Sequence, residues 1–226
     1  YVQWKNGDLD AGFAKAARVF EHTFRTPLSH HGYIEPCAAT VQVHGDGRVE
    51  VWASNKGPWG LREQMAEDFS VPQEKIKVHI VHVGGDFGAK ASLIDVPIAY
   101  YLSKAAGGRP VKLVFDYTEE ILVGGHRHPS VISLKTGVAA DGTLTAVKGD
   151  IYFSGGAYCS QKANPQATVL GGRRLASMYR CPAIDVRTYC AYTNQVPCTQ
   201  TRTPGSPQVV FAFESQMEII AKEMGI

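Results

Sequence analysis

The glycine-rich segment at residues 84–90, which reads GGDFGAK, has the pattern with the clearest chemical meaning in this sequence. We call it the glycine turn. An alternating run at 75–83 precedes it and apolar residues with helical spacing follow it, so the turn is predicted to join a strand to a helix. Glycines let a ligand come close to the backbone, and the N–H groups at a helix start attract an anion. The pattern therefore predicts an anion site, with a tight turn around a packed Phe87 as the alternative.

A second segment, residues 202–208 with the sequence RTPGSPQ, combines an arginine with a predicted helix start. Ser206 is a suitable cap and Pro207 a suitable first residue for the final helix. The Arg202 guanidinium and the helix N-terminus both favour an anion. A surface ion pair of Arg202 is the alternative interpretation. Because two elements of this kind occur in one chain, a shared anionic ligand is favoured.

The histidines offer a weaker signal. They occur in pairs, at His30 and His31 and at His126 and His128, but the spacing matches no helical ligand pair such as His-Glu-x-x-His. We therefore predict no metal bound directly by side chains and interpret these histidines as structural. The sequence also lacks a Gly-x-x-x-x-Gly-Lys-Ser/Thr phosphate loop and a Gly-x-Ser-x-Gly nucleophile motif.

Composition limits the class of protein. The 226 residues carry a net charge of +2, which argues against a nucleic-acid surface. No apolar run approaches the roughly 18 residues of a membrane span. The five cysteines, Cys159 among them, are widely spaced and form no Cys-x-x-Cys pair, so zinc knuckles and iron–sulfur clusters are not expected here. Such cysteines fit a reducing compartment, and the predicted location is the cytoplasm.

The elements that must position these segments mix strands and helices. The pattern predicts a hairpin around residues 44–47, a helix through Leu61, Met65 and Phe69, a buried strand at 110–115, a hairpin around 140–142, a long loop at 155–180 and a final helix whose apolar face is Val210, Phe213, Met217, Ile220 and Met224. The predicted fold class is α+β with two lobes. Because the short helix pattern at 11–17 has nothing before it to pack on and the well-formed final helix stops at 225–226, the chain is expected to be a fragment of a longer polypeptide.

Four motifs, in their order and separations, resemble those of one known family. They are HGYIEP at 31–36, the glycine turn, RHP at 127–129, and the segment 202–208 followed by FAFE at 211–214. From about residue 8 to the end, the chain resembles the molybdenum-cofactor-binding part of the xanthine dehydrogenase and aldehyde oxidase family. Each motif alone is weak, whereas the ordered set is specific.

The resemblance implies a domain organisation and a set of cofactors. Residues 1–226 are expected to form the first molybdenum-cofactor-binding domain of such a protein. The molybdenum would be bound by the dithiolene of molybdopterin, and oxygen from water would enter an aldehyde or an electron-poor heteroaromatic C–H. Electrons would leave through iron–sulfur clusters and FAD on partner domains or subunits. The remaining half of the molybdenum subunit would complete the cofactor site.

The resemblance also implies cofactor-binding residues. It places Phe87 beside the molybdenum, framed by Gly85 and Gly88, and it places Arg202 near the metal centre. By ungapped spacing from Phe87, Lys56 falls where many members carry a glutamine that hydrogen-bonds an oxo group of the metal. A lysine at this position is expected to act as a point charge and to change the electrostatics of the site.

Four positions are expected in the substrate pocket on the same grounds. Ala91 stands where xanthine-active members have a glutamate, and Pro204 stands where they have a phenylalanine that stacks on purines. Leu170, or Arg173 with a small gap, stands in the place of a substrate-binding arginine. These differences argue against xanthine and leave an aldehyde or another heterocycle open as the substrate. Asp86, next to the anionic cofactor, is expected to point outward.

No catalytic residue is predicted within the chain. The catalytic base of the family is a glutamate in a Gly-x-Gly-Glu motif, which this sequence lacks. The base is therefore expected beyond Ile226, and the chain alone is expected to be inactive. Two alternatives remain open. One is a non-catalytic assembly or scaffold domain of the same fold, supported by Lys56, Ala91 and Pro204; the other is a phosphate-binding enzyme that uses the glycine turn.

Overall fold

Two separate hydrophobic cores divide this chain into a large and a small lobe. The structure is a computed structural model that describes residues 1–91, 93–158, 168–177 and 179–226, so Cys159 lies outside the described residues. Strands and helices are intermixed, which confirms the α+β prediction. The strands are β1 (Val2–Asn6), β2 (Arg18–Thr26), β3 (Ser29–His30), β4 (Ala38–Val43), β5 (Val49–Ala53), β6 (Ile76–His79), β7 (Val111–Val114), β8 (His126–Arg127), β9 (Ser130–Val138), β10 (Leu144–Ser154) and β11 (Ile184–Ala191). The helices are α1 (Leu9–Ala14), α2 (Pro58–Phe69), α3 (Val96–Ala105), α4 (Tyr117–Val123) and α5 (Ser206–Met224).

The large lobe is built on a five-stranded sheet with the order β1-β11-β10-β9-β2. The strands β9 and β10 form the antiparallel hairpin that was predicted around residues 140–142, and β10 also pairs in parallel with β11. The helix α5 packs against this sheet, with Phe213 and Ile220 buried in the shared core. Burial of apolar surface at about 25 cal/mol per Å² is the main force that joins α5 to the sheet.

The small lobe is a four-stranded sheet, β6-β5-β4-β7, that shares a core with α2 and α3. Val41 of β4 lies opposite Val51 of β5, and both side chains are fully buried. Leu61 and Met65 reach the same core because their four-residue spacing puts them on one face of α2. The predicted hairpin around 44–47 and the predicted helix are therefore confirmed.

The segment around the glycine turn differs from its prediction. The alternating run at 75–83 forms a strand only over Ile76–His79, because its partner β5 ends at Ala53 and the pairing stops at Trp52 and His79. The helix α3 begins at Val96, six residues after the glycine turn, so the turn is not a helix start. The prediction of a helix N-terminus at this point is wrong, and any anion must be bound by the backbone of the turn itself.

Four further predictions need correction. The segment 110–115 is an edge strand rather than a buried one, since β7 pairs only with β4 and alternates between half-buried and exposed residues. Gly205, with a φ of +74°, occupies the cap position of α5, which shifts Ser206 into the helix. Val209 rather than Val210 lies in the core, because the helix phase is set by packing against the sheet. Within the predicted loop at 155–180, a 3-10 helix spans Val169–Ala176.

Candidate functional site

The backbone of the glycine turn adopts a conformation that few sequences tolerate. Gly85 and Gly88 have φ values of +101° and +117°, and Phe87 lies between them at +49°. A left-handed conformation is unfavourable for a phenylalanine, by about 1–3 kcal/mol, and it persists only where the surroundings impose it. The Phe87 side chain is 48% exposed. The N–H groups of Gly85, Asp86 and Phe87 donate no hydrogen bond to any described residue, so the turn presents three donors and an aromatic ring to a ligand.

Asp86 is turned into the glycine turn, which contradicts the expected outward orientation. Its carboxylate accepts hydrogen bonds from the backbone N–H groups of Gly88, at 2.8 Å, and Lys90, at 2.5 Å. The Lys56 ammonium donates to the same carboxylate at 2.8 Å. Burial acts to raise the pKa of Asp86, but Lys56 and the two N–H donors outweigh burial and hold the pKa below its usual value. The carboxylate is therefore ionised and fully engaged.

The glycine turn contacts the second predicted anion element directly. The backbone N–H of Arg202 donates to the Phe87 carbonyl at 2.7 Å. Gly88 lies so close to this segment that a Cβ atom at Gly88 would be 2.2 Å from the Gln200 carbonyl oxygen. The Nε2 atom of His31 lies 3.0 Å from that carbonyl and 2.7 Å from the Thr201 hydroxyl. Two segments that are more than 100 residues apart in sequence therefore form one surface, as the shared-ligand hypothesis requires.

The Arg202 side chain is exposed and forms no ion pair with any described residue. Its backbone, in contrast, is held on two sides, because its carbonyl accepts a hydrogen bond from the Arg127 guanidinium at 3.2 Å. Gln208 donates its side-chain amide to the His128 carbonyl at 2.9 Å. These bonds connect the motif at 127–129 with the segment 202–208. The surface ion pair considered for Arg202 is absent from the described part of the chain, and its guanidinium is available to an anion.

A buried polar layer lies beneath the glycine turn. Lys90 is 1% exposed, and its ammonium donates to the Glu35 carboxylate at 2.8 Å and to the Glu35 carbonyl at 2.6 Å. The same ammonium lies 4.6 Å from the centre of the Tyr33 ring, a cation–π contact. The Gly84 N–H also donates to the Glu35 carboxylate, at 2.7 Å. The motif at 31–36 therefore anchors both ends of the glycine turn.

Glu120 of α4 completes this layer, and the sequence interpretation missed it. Its side chain is fully buried and accepts hydrogen bonds from the Tyr33 hydroxyl and, at 2.7 Å, from the Cys37 N–H. Burial, with the neighbouring Glu120 carboxylate, raises the pKa of both Tyr33 and Cys37. The available signal was the capping box formed by Asp116 and Glu119, which predicts a helix start but does not show which acidic residue faces inward.

The two histidine pairs of the sequence lie close together in the structure. The rings of His30 and His126 are 5.8 Å apart, and those of His30 and His31 are 6.0 Å apart. Burial lowers the pKa of all three histidines below the usual value, so the neutral form is favoured. Among the described residues, no group of histidine, cysteine and carboxylate side chains is arranged to hold a metal ion.

The four predicted pocket residues are only partly brought together. Pro204 lies in the turn before α5, between Thr203 and Gly205, both of which have positive φ values. The 3-10 helix that contains Leu170 packs on this turn, since a Cβ atom at Gly171 would be 2.4 Å from the Gly205 carbonyl carbon. Leu170 itself is half exposed.

The other two predicted pocket residues lack such a link. Ala91 directly follows Lys90 and donates its N–H to the Ala89 carbonyl at 3.0 Å. Arg173 is exposed on the 3-10 helix and makes no hydrogen bond or ion pair with a described residue of the site. The structure therefore groups Pro204 with the segment of Leu170 and leaves the roles of Ala91 and Arg173 as predictions.

Comparison with known proteins agrees with this geometry. The family model of the molybdopterin cofactor-binding domain matches residues 1–226. The chain belongs to this family. It is 32% identical over 226 residues to a xanthine dehydrogenase of Emericella nidulans, covering 98% of this chain and 16% of the relative. It is 31% identical over 220 residues to the nicotinate dehydrogenase large molybdopterin subunit of Eubacterium barkeri, covering 97% of this chain and 51% of the relative.

A solved structure shows the same fold in this molybdopterin-binding family. The aldehyde oxidoreductase from Desulfovibrio gigas superimposes with a TM-score of 0.88 at 26% identity, covering 99% of this chain and 24% of that protein. The chain therefore spans between about a sixth and a half of the length of these proteins. In the described residues, no helix is both long and apolar enough to cross a membrane.

The residues of the site fit a molybdopterin cofactor. This cofactor is anionic and carries the dithiolene ligands of its own metal, so the protein must supply hydrogen-bond donors and positive charge rather than a metal-ligand cluster. The glycine turn offers three N–H donors without a described partner, and Arg202 offers a guanidinium that no described carboxylate pairs. Gly85 lets the turn pack closely on the motif at 31–36, since a Cβ atom there would lie 2.9 Å from the Cβ atom of Tyr33.

Proposed function

We propose that this domain forms one wall of the cofactor cleft in a molybdenum hydroxylase. The reaction is oxidation of an aldehyde or a heteroaromatic C–H, with water as the source of oxygen. The observation that carries the proposal is the 2.7 Å hydrogen bond between Arg202 N–H and the Phe87 carbonyl, which joins two anion-binding elements into one surface. The three N–H donors without a described partner and the exposed guanidinium on the adjoining segment support this proposal over a purely structural turn.

Each residue of the site has a distinct proposed role. The bound cofactor supplies oxygen transfer and two-electron chemistry. The N–H groups of Gly85 and Phe87 bind it, and the exposed ring of Phe87 excludes water from one side. The close approach at Gly88 holds the glycine turn against residues 200–202. Arg202 balances the negative charge of the cofactor, because its guanidinium is exposed and not paired with a described carboxylate.

The proposed substrate is a neutral molecule. Pro204 and Leu170 give an apolar lining near the turn before α5, and Ala91 offers neither charge nor a hydrogen-bonding side chain. A buried purine site must pair the polar edge of its substrate, so the absence of polar groups at these three positions disfavours xanthine. Arg173 lies on the exposed side of the 3-10 helix and is proposed to contact the substrate only at the entrance of the pocket.

The rest of the activity is assigned to other parts of the protein. The catalytic base is proposed to lie in the remaining half of the molybdenum subunit, beyond Ile226. Electrons are proposed to pass to iron–sulfur and flavin domains or subunits, and the assembly is proposed to be cytoplasmic. The nicotinate dehydrogenase relative, named as a large molybdopterin subunit, supports a multi-subunit arrangement. The present domain is therefore expected to be inactive when isolated.

The test uses the full-length polypeptide with its partner subunits. Molybdenum per polypeptide is measured by mass spectrometry for the unchanged protein, Arg202→Ala and a matched control, Arg109→Ala, whose exposed side chain lies in the small lobe. We expect about one molybdenum per polypeptide, a loss of about tenfold or more in Arg202→Ala, and no loss in the control. An active, intact preparation without molybdenum would contradict the proposal. Unchanged turnover in both Arg202→Ala and Phe87→Ala would favour the non-catalytic scaffold.

A further inference from the structure

The Asp86 side chain accepts three hydrogen bonds, which link it to the backbone of Gly88 and Lys90 and to the side chain of Lys56. Oδ1 accepts from the Lys90 N–H at 2.5 Å, and Oδ2 accepts from the Gly88 N–H at 2.8 Å. Oδ2 also accepts from the Lys56 ammonium at 2.8 Å. The carboxylate therefore lies on the inner side of the turn and bridges the backbone at Gly88 and Lys90.

These bonds explain how Phe87 is kept in its left-handed conformation. The N–H groups of Gly88 and Lys90 point at one carboxylate only while the chain between them bends sharply, which requires the positive φ of Phe87 and Gly88. Without this acceptor, both N–H groups lose their partner and the turn has no reason to keep a strained phenylalanine. Asp86 therefore holds the three open N–H donors and the Phe87 ring in place.

Lys56 is fixed to the same turn from the other side. It lies in the loop after β5, and its own backbone N–H donates to the Lys90 carbonyl at 2.8 Å. Its ammonium pairs with Asp86 while the Asp86 side chain is only 19% exposed. A carboxylate beside an anionic ligand repels it, so the turn needs a compensating charge that is close to Asp86. Lys56 supplies that charge.

We propose that Asp86 is the positioning residue of the glycine turn and that Lys56 serves as its counterion rather than as a contact to the cofactor. The identity of the ligand in this inference rests on the proposed function, whereas the roles of Asp86 and Lys56 rest on their hydrogen bonds alone. It replaces the expected role of Lys56, in which the lysine acts on the metal centre as a point charge. With Lys56 and Asp86 neutralising each other, Arg202 provides the net positive charge of the surface.

The first experiment measures geometry without reference to activity. Hydrogen–deuterium exchange is followed in the peptide that covers residues 84–91 of the full-length polypeptide with its partners. Asp86→Ala is expected to speed exchange of the Gly88 and Lys90 amides by about tenfold or more, whereas Lys56→Gln changes it by less than about threefold. Asp46→Ala, which breaks the exposed pair with Arg48, is the matched control and should leave this peptide unchanged. Unchanged exchange in Asp86→Ala would overturn the positioning role.

The second experiment measures charge through molybdenum content. Lys56→Gln leaves the Asp86 carboxylate uncompensated and is expected to lower molybdenum per polypeptide by about threefold or more. The double variant Lys56→Gln with Asp86→Asn removes both charges, and the single Asn amide oxygen keeps one of the two backbone N–H bonds. Hydrogen–deuterium exchange of residues 84–91 is measured on the same variant to confirm that the turn is kept. Its molybdenum content should return to within about twofold of the unchanged protein.

The two experiments separate the ways in which the ideas fail. A double variant as poor as Lys56→Gln alone would show that Lys56 contacts the cofactor itself, and would overturn the counterion role. If the unchanged protein holds no molybdenum, the proposed function fails, while the exchange measurement still decides whether Asp86 positions the turn.

Discussion

The polar layer beneath the site and the surface above it differ in whether their polar groups have hydrogen-bond partners within the protein. In the layer, which we define as Tyr33, Glu35, Lys90 and Glu120, the buried charges of Lys90 and Glu120 each have described partners within hydrogen-bonding distance. In the surface, defined as residues 84–89 of the glycine turn with Arg202, three backbone donors and a guanidinium have no described partner. Apart from Glu120, the residues of both regions come from three of the four motifs.

The difference shows which motif residues act on a ligand and which support those that do. Buried polar groups without partners are costly, so the layer must be satisfied internally and cannot serve a ligand. Exposed donors lose little while they are solvated, and they stay available for an anion. The comparison therefore makes two demands. Changes in the layer should cost stability, whereas loss of an exposed, unpaired side chain of the surface should cost ligand binding.

The largest effect on stability is expected from Glu120→Ala. The substitution leaves the Tyr33 hydroxyl and the Cys37 N–H buried without an acceptor, so the free energy of unfolding should fall by about 3 kcal/mol or more. Urea denaturation of the chain measures it. Glu67→Ala, at an exposed position of α2, is the control and should stay within about 0.5 kcal/mol. A loss for Glu120→Ala no larger than that of the control would contradict the idea that the layer supports the fold.

A smaller effect is expected where the two segments of the surface meet. Gly88→Ala adds a Cβ atom 2.2 Å from the Gln200 carbonyl oxygen, so it should destabilise the chain by about 2–4 kcal/mol. Gly32→Ala has a similar backbone problem, with a φ of +73°, but nothing lies within 4 Å of the added atom. The Gly32 variant should therefore cost only about 1 kcal/mol. Equal losses in urea denaturation would show that backbone strain, rather than contact with residues 200–202, limits Gly88.

A gain in stability is expected from substituting Asp95, a buried carboxyl at the start of α3. Burial raises the pKa of this carboxyl to about 6, and one of its oxygens, Oδ2, has no described hydrogen-bond partner. The folded state therefore binds this proton more tightly than the unfolded state, and stability is lost as the pH rises from about 4 to about 6. Asp95→Asn removes the charge, so it should stabilise the chain by about 1–3 kcal/mol at pH 7.5 and by much less at pH 4. A gain that does not grow with pH would contradict the assignment.

The smallest effect on stability is expected at Arg202. The side chain is exposed and forms no ion pair with a described residue, so Arg202→Ala should change the free energy of unfolding by less than about 0.5 kcal/mol. The same variant is expected to lose molybdenum in the full-length protein. A marked loss of stability in urea denaturation would show that Arg202 supports the fold, and would contradict its assignment to the ligand-binding surface.

Much of the fold was predictable because its patterns are local. The alternation of Val41 to Ala53 around a glycine-containing turn predicted β4 and β5, and the spacing of Leu61 and Met65 predicted α2. Prediction failed where a partner strand decided the outcome. Residues 80–83 have the alternation of a strand, but β5 ends before it can pair with them. The phase of α5 was likewise decided by the sheet beneath it.

The sequence by itself determined the family, and it marked the two segments that we propose to bind an anion and the site residues that the resemblance implies. Only the tertiary structure decided that the glycine turn is separate from a helix start, that Asp86 faces inward and pairs with Lys56, and that Glu120 closes the layer below. The physical reason is distance along the chain. Backbone preferences and periodicity are encoded within a few residues, whereas the partner of each charge at this site lies about 30 to 90 residues away and is chosen by packing.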